Sequence, residues 1–189
     1  TTAHLNTFFD ATYADIESDF DEETAKSVAD AGKETLDMMK NLIDTYQIDC
    51  DFEYKDAYVF SENEQEKKLL KDILASSRKA GIHAIEERDN QVPVPFEMVI
   101  QYTDQAQFHP LKFLSEIAKE LNIYENTFVR EMVGNMAITD CAKIKADKVI
   151  VATHFPFINK HGCYFLKLYQ HRSYVIALEN AQDVDGMYV

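Results

Sequence analysis

The 189-residue chain carries 33 acidic against 19 basic residues, a formal net charge of −14, with 46% hydrophobic residues. This balance supports a folded globule of one domain or somewhat more, and it disfavours a nucleic-acid binder, whose affinity comes from cations set against phosphates. No apolar run nears the roughly 18 residues of a membrane span, and no basic-then-apolar leader opens the sequence. A cytoplasmic protein with no membrane span is expected; its oligomeric state is left open.

In chain order, Phe8, Phe9, Tyr13 and Phe20 are spaced for burial in an irregular opening stretch. From Glu22 to about Gln47, Val28, Gly32, Leu36, Met39, Ile43 and Tyr46 recur every three or four residues, which predicts a long amphipathic helix capped by Asp21. Residues 48–60 turn β-like, with Phe52, Tyr54, Tyr58 and Phe60 alternating. Ser61 and Glu64 read as a capping box for a second helix that Gly81 ends. Short strands are expected at 82–88 and 96–102, separated by Pro93 and Pro95. Pro110 suits the first position of a third helix, whose buried face would be Leu111, Leu114, Ile117, Ala118 and Leu121. Residues 127–140 around Gly134-Asn135 predict a hairpin.

The run Asp147-Lys148-Val149-Ile150-Val151-Ala152-Thr153-His154 predicts a strand buried on both faces, entering a polar turn. Ligands sit beyond the carboxyl ends of such strands in open α/β sheets. Residues 164–178, with Tyr174, Ile176 and Leu178 alternating, continue the strand pattern. The class is α+β: a mixed or antiparallel sheet with flanking helices plus a β-meander.

Acidity is concentrated early: residues 1–72 hold 19 acids and 7 bases, residues 73–189 hold 14 and 12. The first half would steer a cationic amine, although a solvated helical surface accounts for the same charge. Cys50, Cys141 and Cys163 form no C-x-x-C pair and read as small buried groups in a reduced compartment. His154, His161, Cys163 and His171 match no common zinc spacing, so no metal site is expected. No G-x-G-x-x-G, phosphate-cradling loop or G-x-S-x-G occurs, and Ser115 and Ser173 sit mid-helix and mid-strand in this reading. The chain opens on Thr1 and stops at Gly186-Met187-Tyr188-Val189, inside a strand pattern. It is therefore expected to be a piece of a longer protein.

Four stretches, in order, carry a family resemblance. Gln105-Ala106-Gln107-Phe108-His109-Pro110-Leu111-Lys112-Phe113-Leu114 resembles the "Q-x-x-x-h-P-x-k-y-l" segment of the FAD-dependent oxidoreductases related to D-amino-acid and glycine oxidases. Ile123-Tyr124-Glu125-Asn126-Thr127-Phe128-Val129 is similar to that family's "i-y-E-n-T-x-V" strand. Residues 144–154 resemble its "i-x-a-d-x-V-I-v-A-T-h" strand, and Gln170-His171-Arg172-Ser173-Tyr174-Val175 resembles the strand returning to the substrate domain. Thr1-Thr2-Ala3-His4 and Ile48-Asp49-Cys50-Asp51-Phe52 fit the subgroup that sometimes carries an extra Rieske domain.

The resemblance implies a partial flavoprotein fold: substrate-domain elements over 1–105, the second-half segment of the FAD-binding domain over 106–162, and return strands over 163–189. It implies a flavoenzyme that removes a hydride from a carbon beside an amine nitrogen of a small-molecule amine or amino acid, with FAD carrying the chemistry. Catalytic residues are not identified. Cofactor contacts fall on Thr1, Thr2, Ala3 and His4 near the flavin, on Val129 at the adenine, and on Ala152, Thr153 and His154 near the ADP portion. Arg172 and Tyr174 fall on a substrate-domain strand, where an Arg can grip a carboxylate. The pyrophosphate fingerprint of the family is missing from the sequence, so the isolated chain is expected to be inactive and to hold FAD weakly or not at all. The alternative reading is a non-catalytic acidic α+β interaction module.

Overall fold

The computed structural model describes residues 3–87, 92, 94–155, 157–158, 162–169, 172–181 and 184–189. Along the chain run β1 (His4–Leu5), α1 (Tyr13–Asp19), α2 (Glu22–Tyr46), β2 (Glu53–Tyr54), β3 (Ala57–Ser61), α3 (Glu64–Lys79), β4 (Ala84–Glu87) and β5 (Met98–Tyr102). They are followed by β6 (Ala106–Gln107), α4 (Pro110–Ala118), β7 (Val129–Val133), β8 (Met136–Thr139), β9 (Lys143–Lys145), a 3-10 turn at Tyr164–Leu166, and β10 (Met187–Tyr188). Two units form, one of Thr1–Leu121 with Gln182–Val189 and one of Asn122–Ala181. The α+β class is as the sequence predicts.

In the first unit each helix start satisfies backbone donors that the helix itself leaves free. Thr12 and Asp15 form a reciprocal capping box on α1. Asp21 accepts from Thr24 N at 2.7 Å on α2, and Gln47 ends that helix in the left-handed region. On α3 the expected Ser61–Glu64 box is replaced. Asn63 is the cap, accepting from Gln65 N and Glu66 N at 3.1 and 2.9 Å, while the Glu66 carboxylate accepts from Glu62 N. Ser61 cannot serve, because it closes β3 with its hydroxyl buried against Met98 O. A residue committed to a strand ladder is too early to cap.

The main sheet has the order β10-β3-β5-β4, antiparallel except for β10, which runs parallel to β3. Alternation puts Ala57, Ile100, Tyr102 and Ala84 on the face toward the helices, where they pack with Tyr13, Ala25, Ala29, Leu70 and Leu74. Ile100 is fully buried, and removing such a side chain from water contributes about 1.5–3 kcal/mol. A smaller sheet, β1-β6-β2, adjoins a second cluster of Ile43, Ile48, Cys50 and Phe108.

α4 begins at Pro110 as expected but buries only part of the expected face, keeping Ile117 and adding Phe113. Phe113 and Ile117 pack on the second cluster, whereas Leu111, Leu114 and Leu121 are exposed. The shallow cluster accepts a narrow stripe, so only residues four apart reach it.

The second unit contains the antiparallel meander β7-β8-β9. Gly134 takes the positive φ of 57° that its two-residue turn requires. Arg130 forks onto Asp140, with Nε donating to Oδ1 at 2.7 Å and Nη2 to Oδ2 at 3.0 Å, and its guanidinium lies over the Phe128 ring.

Here two expectations are overturned. The buried strand over 147–153 does not form: β9 ends at Lys145, and Ile150 is 90% exposed. A strand hidden on both faces needs a paired neighbour and a covering layer on each side. Among the described residues nothing pairs with this run. Among the described residues the strand pattern over 164–178 likewise gives a 3-10 turn and no strand, with Tyr174 and Ile176 exposed. His161 and His171 of the histidine-rich stretch lie outside the described residues.

Candidate functional site

The opening segment of the first unit is held in place by a buried polar clamp. Gln105 is 2% exposed, and its Oε1 accepts from Thr7 N at 2.6 Å and from Thr7 Oγ1 at 3.2 Å. Its Nε2 donates to Thr103 O at 2.7 Å, so both ends of the amide are satisfied. The Tyr13 hydroxyl donates to Thr7 O. Upstream, Ala3 O accepts from Phe108 N at 2.9 Å, while His4 and Leu5 pair with Gln107 and Ala106. Residues 3–7 are therefore fixed against residues 105–108.

Beyond this strip opens a cleft of about 830 Å³, of a size that takes a small organic molecule. Phe8, Phe9 and Tyr102 form much of its mainly apolar wall, and the Phe8 and Tyr102 rings sit 4.6 Å apart. The Tyr102 hydroxyl shares a 3.0 Å hydrogen bond with Ser77. Burial pushes the Tyr102 phenol up, and pushes the Tyr13 phenol up to about 12. Burial also lowers the His4 imidazole below its ordinary value, so it is neutral near pH 7. Asn6 Oδ1 is buried with no donor among the described residues. No Lys or Arg among the described residues lines the cleft, whereas Asp10 does.

Of the expected cofactor residues, Thr1 and Thr2 lie outside the described residues. Ala3 is exposed and His4 half-buried at the mouth of the cleft, so these two stand together. In the second unit Val129 opens β7 and pairs with Thr139, with a register shift before Glu131. Ala152, Thr153 and His154 are exposed: Phe155 N donates to Thr153 O at 2.6 Å, closing a three-residue turn about His154, whose φ is 61°. Asn135 ties the hairpin to the segment leading there, donating from Nδ2 to Asp147 O at 2.8 Å. Arg172 and Tyr174 lie on exposed backbone outside any strand, because the strand expected to carry them does not form.

These residues fit an adenosine group better than a pyrophosphate. Among the described residues β7 is an edge strand, and such an edge presents alternate N–H and C=O groups that could meet a base edge. Among the described residues no glycine-rich turn opens a helix; Gly32 lies inside α2, Gly81 follows α3 and Gly134 turns the hairpin. Among the described residues, no group of three or more His, Cys, Asp or Glu is placed to hold a metal ion, and no helix is long and apolar enough to cross a membrane.

Sequence reasoning missed Asn6, Tyr13 as an anchor, and the clamp role of Gln105. Gln105 did carry a signal, since it heads the string Gln105–Leu114. A lone glutamine nonetheless does not reveal that its partner is Thr7.

The pattern of the family described as FAD dependent oxidoreductase matches residues 4–188. A Bacillus subtilis (strain 168) protein, described as the Rieske 2Fe-2S iron-sulfur protein YhfW, is 28% identical over 100% of this chain and 39% of its own length. Glycine oxidase from Geobacillus kaustophilus superposes with a TM-score of 0.57 at 13% identity, covering 79% of this chain and 43% of that enzyme. L-proline dehydrogenase from P. horikoshii gives a TM-score of 0.49 at 17% identity, over 60% of this chain and 34% of that one. The chain thus spans about two fifths of the length of YhfW and of the glycine oxidase. With the family pattern running through nearly every element described above, the chain belongs to the FAD-dependent oxidoreductases.

Proposed function

We propose that the full-length protein oxidises the C–N bond of a small-molecule amine or amino acid. The match of the family pattern over residues 4–188 carries this reading, and the glycine oxidase likeness supports its fold. FAD would supply the acceptor for the hydride leaving the carbon next to nitrogen. In this reading the edge of β7 at Val129 and the exposed turn at Ala152–His154 receive the adenosine half, while Ala3 and His4 approach the flavin end. The clamp of Gln105 and Tyr13 on Thr7 positions that strip, since a small displacement of a bound reactant costs orders of magnitude in rate. A neutral His4 can accept a proton or a hydrogen bond from an amine nitrogen beside it.

The test is to purify the full-length protein, reconstitute it with FAD, and mix it anaerobically with amines, D-amino acids and N-methyl amino acids. At least one of these classes bleaches the flavin absorbance. Failure of every nitrogen compound to do so removes the reaction type.

A further inference from the structure

The cleft beside His4 is one-sided in its chemistry. Asp10 is present at its lining, and no Lys or Arg among the described residues is. A carboxylate entering it finds no cation to fork onto among the described lining residues. The rings of Phe8 and Phe9 line it, with the fully buried Tyr102 behind Phe8, and the negative quadrupole of an aromatic face attracts an ammonium and repels a carboxylate. Asn6 adds a buried acceptor with no donor, and the terminal torsion of an Asn is soft enough to turn that oxygen toward a ligand. An N–H from the cleft would satisfy it.

We propose that this cleft binds an amine with an apolar body, an arylalkyl or alkyl ammonium, and rejects amino-acid carboxylates. The inference rests on the proposed oxidation in naming a substrate class, and narrows that class to amines. The apolar body lies against Phe8 and Phe9. The nitrogen points toward Asn6 and Asp10.

Gly32 supplies the means of blocking the cleft. A Cβ there would sit 3.5 Å from Phe9 Cζ and 3.8 Å from Thr7 Cα, ordinary contact distances, so Gly32→Ala is accommodated while Gly32→Leu fills the space beside Phe9. The experiment is calorimetric titration of the full-length protein with 2-phenylethylamine, 3-phenylpropanoate and D-phenylalanine. The amine binds at least about tenfold more tightly than either carboxylate, the weight of one hydrogen bond or charge contact. Gly32→Leu abolishes amine binding and Gly32→Ala retains it; circular dichroism of both shows whether they fold. Asn6→Leu weakens the amine about tenfold. Equal or tighter binding of either carboxylate, or amine binding indifferent to a folded Gly32→Leu variant, overturns the proposal. If Gly32→Leu does not fold, Asn6→Leu decides, and unchanged amine affinity there overturns it. Anaerobic flavin bleaching then separates the two readings. Amine binding with no bleaching by any of the nitrogen compounds upholds the cleft and sinks the oxidation, whereas bleaching by D-amino acids alone upholds the oxidation and sinks the cleft.

Discussion

Gln105 reaches across 98 positions of sequence to hold Thr7, accepting from both its backbone N–H and its hydroxyl. The pair is buried, so water cannot replace either contact when it is lost. Gln105→Leu keeps the approximate bulk but strands the Thr7 donors and the Thr103 carbonyl. The expected loss is about 3 kcal/mol of unfolding free energy, from two or three unsatisfied groups at about 1–3 kcal/mol each. Urea unfolding measures it. A loss below about 0.5 kcal/mol would show that the clamp is dispensable.

Much of the fold was legible where its signals are local. Asp21 before an acidic first turn, Pro110 at a helix start and Gly134-Asn135 between apolar runs each act on their own few residues, and the structure places all three as read. Val149–Val151 was misread because an apolar run reports a wish to be buried, and pairing partners decide whether a strand forms. Leu111 and Leu114 failed similarly, although Ile117 packs as expected: helical periodicity marks an apolar face, while the surface it meets keeps Ile117 and adds Phe113. The cleft was invisible for a related reason, since Asn6, Asp10 and Gly32 meet only through the packing of α2 against the opening segment.

Tyr13 gives a test at alkaline pH. Its phenol is held protonated by burial, with a pKa of about 12 against an unfolded value of 10.0. The sign follows from linkage: the raised folded value makes a contribution that is complete below pH 10.0 and lost as pH rises toward about 12. Unfolding free energy of the wild type falls through that window. Tyr13→Phe, which cannot ionise, is less stable at pH 7 by about 1–2 kcal/mol for the lost bond to Thr7 and shows a flatter decline. Parallel pH profiles for the two proteins would refute the assignment.

His4 gives the opposite window. Burial places its folded pKa below 6.5, so its contribution is complete above pH 6.5 and lost as pH falls through the lowered folded value. Stability of the wild type therefore declines as pH falls below 6.5. His4→Gln flattens that slope. An unchanged slope assigns the decline to other groups.

Gly32 sits in the middle of a 25-residue helix, where glycine costs backbone entropy. Because an added Cβ meets only ordinary contacts, Gly32→Ala stabilises the protein by about 0.5–1 kcal/mol. Thermal unfolding checks this, and a destabilised variant would mean that Phe9 cannot yield.

At the far edge of the sheet, glycine is required by crowding. Tyr58 and Tyr188 stack with centroids 5.3 Å apart, and a Cβ on Gly186 would stand 2.4 Å from Tyr58 Cε2. Gly186→Ala must therefore push Tyr58 aside. The ring would leave Tyr188, and its hydroxyl would lose the Gln101 amide, which donates to it at 3.3 Å. Burial, then the nearby Asp56 carboxylate, holds the Tyr58 phenol above its usual value. Displacement into water brings that titration back toward the ordinary range, visible as tyrosinate absorbance appearing at lower pH. Overpacking of this kind costs about 1–3 kcal/mol. Tyr58→Ala removes the obstructing ring, so adding Gly186→Ala to it costs much less than adding it to the wild type. Additive losses in that double-mutant cycle would show that the two residues do not compete for the same space.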